Sequence, residues 1–221
     1  MNTVFLNLRK WKIFICIPLA LFGQKKSSQK IDSTAYYIQL ANFNKKTDNY
    51  KSSLAFSQKA FNYAKAKNNI KGKGEALFFL GTTYFEIKKF NDAIETFNKS
   101  AYYYSKLRTS TDYALCFYNI GLCYMNLEDF SKAEDYFDKT QSIYDILKID
   151  ASQFLNLQKG IVYSAKGKYK LATPIFDQII AKPDYLDVFK TKAEAEKALL
   201  SKGYVVKSSL TKELLWNCLR K

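Results

Sequence analysis

The 221-residue chain carries a formal net charge of +15, with three prolines, eight glycines and no histidine. Without histidine it lacks the commonest general base and metal ligand, and the scarcity of turn formers argues for helix over a turn-rich sandwich. Only Arg9, Arg108 and Arg220 are arginines; the other basic residues are lysines interspersed with Asp and Glu. That make-up argues against a nucleic-acid footprint, because arginine is the residue that forks onto phosphate and guanine.

Residues 1–23 hold Arg9, Lys10 and Lys12, then an apolar run from Ile13 to Phe22, then Gly23. A basic stretch, a short apolar run and a small residue form the layout of a secretory signal peptide, and the run is too short to span a bilayer comfortably. Export to the periplasm or the extracellular space is therefore expected, with membrane attachment only through this segment if it is uncleaved. Its removal lowers the net charge to +12. Residues 24–31 read as a linker. Cys116, Cys123 and Cys218 would remain. Cys116 and Cys123 lie seven residues apart, about 10 Å along a helix and too far for a disulfide, so both are expected to be small buried hydrophobes.

From residue 32 the chain repeats itself. An aromatic follows each short polar break, at Tyr50, Phe90, Phe130 and Tyr169, with intervals of 40, 40 and 39. Nine residues before the last three stand Gly81, Gly121 and Gly160, each followed at three by Tyr84, Tyr124 or Tyr163. Three residues after the same aromatics come Ala93, Ala133 and Ala172, and four further on Phe97, Phe137 and Phe176. Apolar residues on both sides of each break recur at helical spacing, so each unit reads as a helical hairpin. The glycine admits a neighbouring helix, the alanine lets the two helices cross, and the phenylalanine and tyrosine are expected to fill the space between units. One hairpin cannot bury its apolar face alone, so the units must stack.

This set, Gly81-x-x-Tyr84 with Phe90, Ala93 and Phe97 and its counterparts at Gly121 and Gly160, resembles the tetratricopeptide repeat. The units here are about 40 residues, longer than the usual repeat, as in exported arrays of the Bacteroidota-like type. The first copy departs from the pattern, with Ala41 for the glycine and Ser53 for the alanine, as expected of an end unit that faces solvent. The resemblance implies an all-α fold: a right-handed superhelical array of helical hairpins, about four units plus a carboxy-terminal capping helix pair. The units fall at about 32–70, 73–108, 111–148 and 151–181. Residues 187–221 are a degenerate fifth unit or capping helices, in which Leu214, Leu215 and Trp216 need something to pack on.

Stacked hairpins make a concave groove lined by the first helix of each unit. Facing away from the packing residues are Phe78, Thr82 and Phe85, then Tyr118, Leu122 and Met125, then Leu157 and Ile161, with Ser164 beyond and Ile38, Asn42, Lys45 and Lys46 at the first unit. That is an apolar groove with a basic lip, suited to an amphipathic or extended apolar segment of a protein or peptide partner. The carboxylates sit in turns and on solvated faces, where Asp129 and Asn91 resemble helix caps, and no phosphate-cradling or Cys-x-x-Cys motif is present. No catalytic residue, metal site or cofactor is therefore expected. The chain reads as a non-catalytic protein–protein interaction scaffold. The alternative is the sensory end of a membrane-bound signalling regulator whose kinase or helix-turn-helix output is missing.

Overall fold

The computed structural model describes residues 33–107, 111–181 and 187–201. Within them lie helices α1 (Ser33–Lys46), α2 (Tyr50–Ala66), α3 (Ile70–Glu86), α4 (Phe90–Tyr104), α5 (Thr111–Asn126), α6 (Phe130–Leu147), α7 (Ser152–Ala165), α8 (Tyr169–Ala181) and α9 (Asp187–Ser201), with no strand among the described residues. Consecutive helices pack as antiparallel hairpins, α1 with α2, α3 with α4, α5 with α6 and α7 with α8, and each hairpin stacks on the next. The result is a right-handed superhelical solenoid of four hairpins, followed by α9 packed on α8 and α7. The expected signal segment at 1–23, Cys218 and the apolar cluster of Leu214, Leu215 and Trp216 lie outside the described residues.

Six of the turns obey one rule. Asp48, Asn68, Lys88, Glu128, Lys148 and Gly167 each adopt a left-handed backbone, with φ between 49° and 71°. The next amide then reaches back to the helix it leaves: Asn49 N–H donates to the Asn44 carbonyl at 2.8 Å, Lys89 to Tyr84 at 2.9 Å and Lys168 to Tyr163 at 2.8 Å. These are Schellman closures, which satisfy carbonyls that a helix end otherwise leaves open. The following helix is often capped at once, as Asn49, Asn69 and Asp129 accept from the backbone amides of Ser52, Gly72 and Lys132. Asp129 is thus a helix cap, as expected. Asn91 is not: the cap position of α4 is Lys89, which makes no side-chain bond, and Asn91 is an exposed residue of the first turn.

Packing within hairpins follows the glycine–phenylalanine register. Phe97, Phe137 and Phe176 are fully buried, and each ring lies against the glycine of its own hairpin, Gly81, Gly121 and Gly160 respectively. The rings therefore fill the space inside a hairpin rather than between units. Ala93, Ala133 and Ala172 have no exposed surface, as close helix crossing demands. Tyr84, Tyr124 and Tyr163 pack partly buried against the same core.

The first hairpin needs a correction of cause. Ser53 does not face solvent at an open end; it is 1% exposed. Its hydroxyl donates to the Ala41 carbonyl at 2.9 Å and lies 2.8 Å from the Thr83 hydroxyl of the next hairpin. The alanine position has become a polar tie between units. The glycine–phenylalanine pair is replaced there as a pair: where Ala41 stands for glycine, Ser57 stands for phenylalanine. Further along, Ser100 donates to the Gly74 carbonyl at 2.7 Å and receives the Cys116 thiol at 3.4 Å, which links the second hairpin to the third. Ion pairs join the later ones, Lys159 with Asp138 and Lys166 with Glu134 between α7 and α6.

Candidate partner-binding face

The face in question is built by the first helix of each hairpin. On α3 the residues Leu77, Gly81 and Tyr84 turn toward α4 and the core, and Phe78, Thr82 and Phe85, one residue on from each, stand about 100° round the helix from them. All three are partly buried, neither core nor open surface. On α5 the same register presents Tyr118 and Leu122, also partly buried. These five residues keep the exposure a groove lining requires, though their rings also serve packing. Phe78 lies 5.6 Å from the buried Phe97 ring, Tyr118 lies 5.7 Å from Phe137 and 5.1 Å from Phe154, and Phe85 meets Phe90 edge-on at 5.5 Å.

Three expected lining residues are core. Met125, Leu157 and Ile161 are 5%, 2% and 2% exposed, and Ser164 of the same register has no exposed surface. The repeat register alone places them at the groove, but α7 is also the helix on which α9 packs, and its lining positions lie in the interior. At the other end Ile38 is likewise buried, at 5%.

The basic lip is present and partly desolvated. Lys45 Nζ donates to the Thr82 hydroxyl at 3.2 Å, a contact from the first hairpin to the second, and sits 5.7 Å from the Phe79 ring centre. Burial lowers its pKa, while the nearby Glu86 carboxylate pulls it back up and Lys46 lowers it further. At Tyr118 burial pushes the phenol up to about 12, partly offset by a hydrogen bond with the Gln158 side chain.

Sequence reasoning missed a second concavity. A cleft of about 850 Å³ opens on a different side of α3, floored by Leu77, Leu80 and Tyr84 and walled by Phe61 of α2 and by Asp92, Thr96 and Tyr103 of α4. None of the eight expected groove residues lines it. Only knowledge of how far α2 and α4 stand apart reveals it, and that separation leaves no signature in the spacing of residues. Among the described residues no cluster of three or more His, Cys, Asp or Glu could hold a metal ion, and no helix is long and apolar enough to cross a membrane.

With this geometry in hand the chain can be compared with known proteins. Residues 74–106 and 114–144 match the tetratricopeptide repeat. These are the second and third hairpins, two of the three that carry the glycine, tyrosine, alanine and phenylalanine register. A curated relative, the BBSome complex member BBS4 of Bos taurus, is 27% identical over 146 residues, 66% of this chain and 24% of that protein. The chain thus spans about a quarter of that relative's length. Among solved structures, a Rap protein complexed with Competence and Sporulation Factor superposes with a TM-score of 0.70 at 18% identity, over 86% of this chain and 54% of that one. The Rap conjugation gene regulator of the plasmid pLS20, in complex with the Phr* peptide, gives 0.63 at 17% identity, over 90% and 60%. At such identities the likeness shows the fold, a tetratricopeptide-like solenoid.

Proposed function

We propose that this chain is a non-catalytic scaffold, exported from the cytoplasm, that holds an apolar segment of a protein or peptide partner along the inner face of its second and third hairpins. The observation that carries this reading is that Phe78, Thr82, Phe85, Tyr118 and Leu122 occupy one register on α3 and α5 and remain partly exposed. Partly exposed apolar surface shared by two neighbouring hairpins suits an apolar segment of a partner. The half-desolvated Lys45 at the lip would meet a carboxylate or a carbonyl of the partner. Support also comes from the neighbours of like fold, one solved with the Phr* peptide and another with Competence and Sporulation Factor.

The test uses Thr82→Glu with Leu122→Glu. Tyr118 is a poor probe, because its ring is wedged between Phe137 and Phe154. A partner crosslinked to the wild-type chain in its own cells should be lost from the double variant while the circular dichroism stays unchanged. Retention of that partner at wild-type yield would remove the groove assignment. Recovery of the chain with residues 1–23 absent would support export, and an intact amino terminus on chain confined to the cytoplasm would end it.

A further inference from the structure

Glu196 stands on α9 with no exposed surface, and neither of its carboxyl oxygens has a hydrogen-bond partner. An ionised carboxylate left without donors in the interior is strongly disfavoured. The described side chains of α9 offer a limited offset, with Leu200 packing partly buried against the core. Among its described side chains only Ala193 and Glu196 are fully buried, and Ala193 contributes a single methyl group. Among the described elements the helix packs chiefly on α8 and α7. Its ion pair to α8, Lys197 with Asp177, is about half exposed on both sides, which makes it a weak tether.

We infer that α9 is a pH-responsive latch, docked on α7 and α8 while Glu196 is neutral and loosened when that carboxyl ionises.

The surroundings leave Glu196 as the group that titrates. On its own helix Lys192 favours the charged form, but burial outweighs it and pushes the carboxyl up to about 7. Lys197 is engaged by Asp177, and Glu194 is exposed. From α7, Lys159 is paired with Asp138, and Tyr163 is drawn to Glu134. Lys166, just past the end of α7, is also paired with Glu134. From α8, Tyr169 and Lys170 are exposed, and Asp177 is the partner of Lys197. Ser164 of α7 is the other buried group of this region without a hydrogen bond, and a hydroxyl does not titrate here. The direction follows from linkage. The docked form keeps its proton to about pH 7, while a free carboxyl loses it near its ordinary value of 4.5. Docking is therefore strongest at acid pH, weakens as pH rises from about 4.5 to 7, and levels off above.

The experiment is amide hydrogen exchange of the full chain between pH 5.5 and 8.5, each rate divided by its intrinsic rate at that pH. Protection over α9 should fall roughly thirtyfold across this range, while α5 amides hold steady. In Glu196→Leu, α9 should stay protected at every pH. In Glu196→Gln the pH response should vanish whatever the level of protection, because the amide is uncharged. A wild-type α9 that shows no pH response overturns the latch. So does a response that survives in either variant, or a Leu variant whose α9 is unprotected throughout.

Discussion

A Cβ built on Gly160 would stand 2.5 Å from Cε1 of Phe176. The same clash recurs at 2.7 Å between Gly121 and Phe137 and at 2.8 Å between Gly81 and Phe97. The three rings are wholly buried and have nowhere to turn. Each hairpin is therefore closed by a ring seated on bare backbone, and the glycine is required by contact, not by backbone angle.

Gly160→Ala should accordingly destabilise the protein although alanine is the better helix former. Propensity favours the change by about 1 kcal/mol, whereas overpacking a core costs about 1–3 kcal/mol. The loss in urea midpoint should rank Gly160 above Gly121 above Gly81, following the clash distances. Adding Phe176→Leu to Gly160→Ala should recover part of the loss, since the smaller side chain vacates the space. The first hairpin already carries the paired change, with Ala41 opposite Ser57 in the corresponding positions. If Gly160→Ala leaves the midpoint unchanged, the ring does not hold the hairpin closed.

Much of this was legible in the sequence, because close packing leaves a mark on residue type. Gly81, Ala93 and Phe97 recur at fixed spacing since each meets a partner that does not change from unit to unit. What was not legible depends on particular neighbours. Leu157 and Ile161 share the register of Tyr118 and Leu122, yet they are interior residues. Nothing in "LNLQKGIVYSA" encodes what covers them. Glu196 sits in "AEAEKALL", which reads as a solvated helix face. Ser53 looked like a degenerate end residue because its hydrogen bond runs to Thr83, thirty residues away.

That bond can be weighed directly. Ser53→Ala restores the residue the other hairpins use, but it removes the donor to the Ala41 carbonyl and the link to Thr83. The expected cost is about 1 kcal/mol. Thr83 also donates to the Phe79 carbonyl, so a double cycle with Thr83→Val is needed to isolate the pair. A coupling of about 0.5–1.5 kcal/mol in chemical denaturation would establish the tie between the first and second hairpins. A coupling of zero would leave Ser53 as filler.

Cys116 and Cys123 offer a test of burial that needs no mutation. Both thiols are fully buried, and burial pushes each up to about 12, with the Ser100 hydroxyl partly counteracting this at Cys116. Since the thiolate is the reactive form, neither should be alkylated in the native protein at pH 8.5, and both should be alkylated in denaturant, as read by peptide mapping. The folded state keeps these protons above pH 9 while an unfolded chain loses them. Stability should therefore fall with rising pH between about 9 and 12, and the slope should lessen in Cys123→Ala. Rapid native labelling of Cys123 would mean that α5 opens locally.

The turns make the last prediction, and its sign is opposite to most substitutions. Lys88, Glu128 and Lys148 hold φ at 61°, 60° and 57°, a conformation that costs a residue with a Cβ about 1–2 kcal/mol. Glycine adopts it freely but loses more chain entropy on folding. The balance at a Schellman closure favours glycine. Each of Lys88→Gly, Glu128→Gly and Lys148→Gly should thus raise stability, by about 0.5–1 kcal/mol. Gly167, at 71° with open space around its Cβ position, is the internal control: Gly167→Ala meets no clash, so any loss reports backbone strain alone. Thermal melts of the four single variants read both directions at once. Should the three glycine variants melt lower than the parent, the lysine and glutamate side chains must be contributing contacts that outweigh the strain, and the turn rule would describe geometry without governing stability.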